Sequence, residues 1–102
     1  MLIVGIDPGT ATTGFGVIEA NQKDLSVKEF GLIETDKDGK PGERLIAINK
    51  QFTDLLKRIK PDVIAVEKLF FATNAKTAMA VGQAIGIILF TAAKAKVAIF
   101  EY

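Results

Sequence analysis

Two acids stand at the ends of apolar runs, where the surrounding sequence favours Val and Ile. Asp7 follows "LIVGI" and leads into "PGT"; Glu67 follows "VIAV" and leads into "KLFF". Each run reads as a buried strand closed by an acid. If the two strands are parallel neighbours at the centre of one sheet, both carboxylates sit at its carboxyl-terminal edge. Adjacent strands lie about 4.8 Å apart, so two such carboxylates can share one divalent cation. Without a cation the like charges repel. Oxygen donors without His or Cys suit Mg2+, with Mn2+ as a substitute. A pair of such ions can hold the attacking and leaving oxygens of a phosphodiester. Asp7 and Glu67 are therefore the candidate catalytic and metal-ligating residues. The plainer reading makes Asp7 a turn opener and Glu67 a strand end; their matched placement after two matched strands favours the site.

The residues that follow each acid suit a phosphate-bearing ligand. "PGTATTG" (8–14) supplies two glycines, three hydroxyls (Thr10 and Thr12 foremost) and free backbone N–H groups in a tight loop. Such a loop can approach phosphate closely, although a hairpin turn needs glycine too. After Glu67, Phe70 and Phe71 fall in a loop beside Lys68, Asn74 and Lys76. The common fate of Phe is the core. Beside a metal site, one of the pair could instead stack on bases, each stack contributing about 1–3 kcal/mol.

Composition bounds these readings. The chain has 102 residues, room for one small domain. It has no Cys and no His, which excludes disulfides, Cys/His zinc sites and every Ser-His or Cys-His nucleophile. The formal net charge of +1 is neutral about partners. Residues 1–51 hold six Lys/Arg and eight Asp/Glu, whereas residues 52–102 hold seven and four, so the second half is mildly basic. No signal peptide is read at the start, and the longest greasy stretch, 78–93, contains Gln83 and is shorter than the ~20 residues of a spanning helix. A cytoplasmic protein without membrane attachment is expected.

The elements that must position the acids follow from periodicity. Strands are read at 2–6, 13–20 and 25–35, joined by short polar connections as an antiparallel meander. A loop covers 36–42. Leu45, Ile48, Phe52, Leu55, Leu56 and Ile59 then recur at helical spacing up to Pro61. A fourth strand spans 62–67, and a loop, 68–74, offers Thr73 or Asn74 as a helix N-cap. A long Ala-rich helix occupies roughly 75–95, and 96–102 reads as a fifth strand. The order βββαβαβ makes an α/β domain with a mixed five-stranded sheet, since each helical crossover returns the chain in the same direction. The long helix is apolar nearly all round and carries a small-residue stripe that includes Ala78, Gly82, Gly86 and Ala93. One side meets the sheet; the other fits a two-fold dimer.

"GIDPGTATTGFGVI", "VEKLFFATNAKTAMAVGQAIGI" and the closing "FEY" together resemble the bacterial Holliday-junction resolvases of the RuvC family. The resemblance runs the length of the chain and implies a ribonuclease-H-like fold. It also implies a homodimer that cuts two opposing strands of a four-way DNA junction with Mg2+, beside a branch-migration helicase. Asp7 and Glu67 match the first two catalytic acids, the Phe70–Phe71 loop the junction contact, and the long helix the dimer. Family members continue past "FEY" into a helix with the final acids, whereas here only Glu101 follows Glu67. An incomplete, C-terminally truncated single domain (1–102), inactive on its own, is therefore expected. Two rival readings come from other classes. An actin-like or sugar-kinase ATPase lobe would use "DPGT" on ATP phosphates. A non-catalytic scaffold would only dimerise or bind DNA.

Overall fold

The computed structural model describes residues 1–9, 12–36, 38–67 and 75–101, with side chains given except at 75–77. Thr10, Phe70, Phe71 and Asn74 lie outside the described residues, and only the backbone of Lys76 is described. The described strands are β1 (Leu2–Asp7), β2 (Thr12–Ala20), β3 (Leu25–Glu34), β4 (Val63–Val66) and β5 (Ala98–Glu101). Two helices, α1 (Pro41–Ile59) and α2 (Ala75–Lys94), complete the expected βββαβαβ order. The sheet order is β3-β2-β1-β4-β5. β1 is antiparallel to β2 and parallel to β4, and β4 is parallel to β5, because each helical crossover returns the chain in the same direction.

Both helices pack on one face of the sheet. That face supplies Val4, Ile6, Val17, Ile33, Ile64 and Val66, and the helices answer with Ile48, Phe52, Leu55, Leu56, Ala84, Ile88 and Ala92. Phe52 and Ile88 are fully buried at the centre. Burying a side chain of this size contributes about 1.5–3 kcal/mol, so the helical spacing read from α1 has a direct energetic meaning. Alternation sends the intervening strand residues to the other face, which no described helix covers. There Val27, Phe30, Leu32 and Phe100 stand largely in water.

α1 begins earlier than periodicity indicates. Pro41 sits in the first helical turn, not in a loop, because its missing N–H is one that a helix start leaves unpaired anyway. The helix ends where Lys60 adopts a left-handed conformation (φ 53°) and returns its N–H to the Leu56 carbonyl at 2.9 Å. Pro61 then prevents continuation. α2 turns Val81, Ala84, Ile88, Thr91 and Ala92 inward. Its small-residue stripe faces away from the sheet: Gly82, Gly86 and Ala93 are exposed and Ala78 is half-buried, flanked by exposed Met79 and Phe90. No helix among the described residues is long and apolar enough to cross a membrane.

Candidate active site at the carboxyl edge of the sheet

Pairing between β1 and β4 runs at a constant offset of 60 residues, from Ile3 opposite Val63 to Ile6 opposite Val66. The next step puts Asp7 beside Glu67. The backbone bears this out, because the Glu67 amide donates to the Ile6 carbonyl at 3.4 Å although Glu67 lies one residue beyond β4. At the other end Asp62 fixes the same offset. Its N–H donates to the Leu2 carbonyl (2.8 Å), and its carboxylate accepts the Leu2 N–H (2.7 Å).

Val4, Ile6, Ile64 and Val66 point into the helix-covered core. Asp7 and Glu67 are one residue out of phase with them, so they belong to the uncovered face. Asp7 is exposed and Glu67 half-buried. Parallel neighbours in register are about 4.8 Å apart, a backbone spacing that would allow both carboxylates to reach one ion. Among the described residues no group of three or more acids, His or Cys forms a fuller ligand set. By donor type, two carboxylates could supply only part of the oxygen shell that a hard divalent cation takes.

The surroundings explain how a bulky polyanion could reach these acids. In the β1–β2 register Asp7 stands opposite Gly14, and Gly5 stands opposite Gly16. Ala65 flanks Gly5 from β4. Gly5, Gly14, Gly16 and Ala65 thus make a low strip of sheet surface beside the carboxylates, flanked by exposed Phe30 and Leu32 of β3 and Phe100 of β5. The spacing of "TGFGV" signals this: two glycines two residues apart in a strand share one face. The turn after Asp7 is equally constrained. A Cβ on Gly9 would collide with the Thr12 carbonyl oxygen, so only glycine lets the chain close there. Thr12 is exposed at the first position of β2, near the same edge.

The family model for crossover junction endodeoxyribonuclease RuvC matches residues 3–102. This chain belongs to the RuvC family. The RuvC of Pelotomaculum thermopropionicum is 42% identical over the whole of this chain, which spans 62% of that relative. The RuvC of Moorella thermoacetica is 44% identical, again over the whole chain, which spans 61% of it. Among solved structures, T. thermophilus RuvC in complex with Holliday junction substrate superposes with a TM-score of 0.91 at 29% identity, over all of this chain and 65% of that one. The chain therefore has the ribonuclease-H-like fold and spans a little under two thirds of its relatives' length. Membership of RuvC decides against the ATPase-lobe reading of "DPGT". RuvC relatives carry the name of an endonuclease, a class of enzyme that is generally metal-dependent.

Proposed function

We propose that this chain carries the first two metal-ligating acids of a structure-specific endonuclease. Its substrate is the four-way DNA junction, resolved by phosphodiester hydrolysis in recombination and repair. The observation that carries the reading is the in-register placement of Asp7 and Glu67 at the edge of two central parallel strands. The ion is Mg2+, replaceable by Mn2+, and the chemistry it supplies is charge neutralisation at the scissile phosphate and activation of water. Asp7 and Glu67 hold the ion on the open face. Gly5, Gly14, Gly16 and Ala65 leave the space a sugar-phosphate backbone needs. Thr10 and Thr12 hydrogen-bond phosphate in the turn, Phe70 or Phe71 stacks on junction bases, and Asn74 and Lys76 contact the backbone.

The outward stripe of α2, with Ala78, Gly82, Gly86 and Ala93 at its centre, is the proposed homodimer seam. A two-fold dimer presents two catalytic edges, matching two opposing strands. The enzyme works in the cytoplasm beside a branch-migration helicase. Two carboxylates complete only part of the ligand set for two ions, so the 102 residues alone are expected to bind metal weakly and not to cut.

A protein extended to the length of its RuvC relatives, assayed on a synthetic junction with Mg2+, tests the reading. Asp7→Asn and Glu67→Gln should each slow cutting at least ~100-fold, the equivalent of the several kcal/mol a metal supplies. Cutting at the parent's rate by both variants would sink it.

A further inference from the structure

A cavity lies away from the carboxylates, at the opposite end of β4, roughly 13 Å off by strand rise. It is a groove of about 620 Å³ between the C-terminal halves of α1 and α2. That size falls within the range of small-molecule sites. Leu56, Pro61 and Val97 give it an apolar floor, and Asn49, Thr53 and Thr91 give it a polar wall.

The wall is only partly satisfied. The Asn49 amide donates to the Thr91 hydroxyl at 2.9 Å, and that hydroxyl donates to the Ile87 carbonyl at 2.7 Å. The buried Thr91 hydroxyl thereby donates once and accepts once. Among the described residues the Asn49 side-chain oxygen and the Thr53 hydroxyl make no hydrogen bond, and both residues line the groove. Around the rim stand Lys57, Lys60 and Lys94, and no acid lines the groove. None of the three lysines forms an ion pair among the described residues; Lys94 lies 5.9 Å over the Phe90 ring.

Cations in a last helical turn complement the helix dipole, which accounts for Lys57 and Lys94 as helix ends. Lys60, which closes α1, stands at the same helix end. The dipole does not account for the cavity between the helices, or for the Asn49 side-chain oxygen and Thr53 hydroxyl of its lining residues. We infer that the groove binds a small phosphorylated organic anion of mononucleotide size. Its phosphate is held by the three ammonium groups, its ring rests on Leu56, Pro61 and Val97, and its polar edge meets Asn49 and Thr53. The site is independent of Asp7 and Glu67 and can be filled while DNA occupies the open face.

Titration of the protein with AMP and ADP, followed by amide NMR shifts and calorimetry, tests this. The expected result is saturable binding with shifts centred on Thr53, Thr91 and Val97. The double variant Lys57→Ala/Lys94→Ala should weaken it about tenfold or more, with Thr53→Val having a smaller effect. Inorganic phosphate should bind more weakly than AMP because it lacks the ring. Absence of saturable binding, or shifts clustered elsewhere, overturns the inference without need of any variant. So does a double variant that lowers the melting temperature but leaves AMP affinity unchanged, the mark of helix-end lysines only. Displacement of AMP by duplex DNA, with a matching loss of DNA affinity in the double variant, would reassign the lysines to DNA and overturn it too.

Discussion

Leu2 and Asp62 hold each other in both directions: each gives its N–H to the other, one to a carbonyl and one to a carboxylate. Five residues further along each strand stand Asp7 and Glu67. The relationship fixes the register of two parallel strands at their start and so the adjacency of the candidate ligands at their end. A slip of one residue would send one acid to the other face of the sheet.

Asp62→Ala should therefore cost about 1 kcal/mol of stability, the net value of an exposed hydrogen bond to a charged acceptor. Urea denaturation checks the cost. Cross-strand amide contacts between β1 and β4 should weaken first at the Leu2 end.

Mn2+ added to the 102-residue chain should broaden amide resonances at Asp7, Gly14 and Glu67 ahead of all others. Asp7→Asn or Glu67→Gln should weaken that binding about tenfold or more, because affinity for hard cations follows ligand charge count. Broadening centred elsewhere would show that the acids do not act together.

Gly31 leaves room for one ring. A Cβ there would come within 2.9 and 3.0 Å of Phe15 ring atoms, and Phe15 packs against the core. Gly31→Ala should cost about 1–3 kcal/mol, the usual cost of overpacking. Phe15→Leu made in the same chain should recover part of the loss, a coupling that a double-mutant cycle measures.

Glu29 on β3 and Arg58 on α1 form a two-pronged pair with both contacts at 2.7 Å. The Arg58 hydrogen bonds, opposed by desolvation and aided last by its charge, hold the Glu29 carboxyl below its usual value. A depressed acid contributes stability above its unfolded pKa, near 4.3, and loses it as pH falls through the folded value. Unfolding midpoints at roughly pH 3 and pH 6 should differ more for the parent than for Arg58→Gln. Equal differences would mean the pair does nothing for stability.

The sequence by itself determined the element order, the amphipathic face of α1 and the small-residue stripe of α2. It also determined that acids end two apolar strands. These are local properties: a period of two or 3.6 residues and the chemistry of a turn are written in adjacent positions. It could carry the family resemblance as well, because the motifs around Asp7 and Glu67 are contiguous. Pro41 in the helix start escaped it, since proline marks both loops and first turns. Only the tertiary structure decided that Asp7 stands beside Glu67, that Asp62 holds the register, and that Gly5, Gly14, Gly16 and Ala65 make a low strip beside the acids. It alone opened a lysine-rimmed groove between α1 and α2. Those facts join residues far apart in the chain, and they are set by cross-strand hydrogen bonds and by packing of both helices on a single face, neither of which leaves a local pattern.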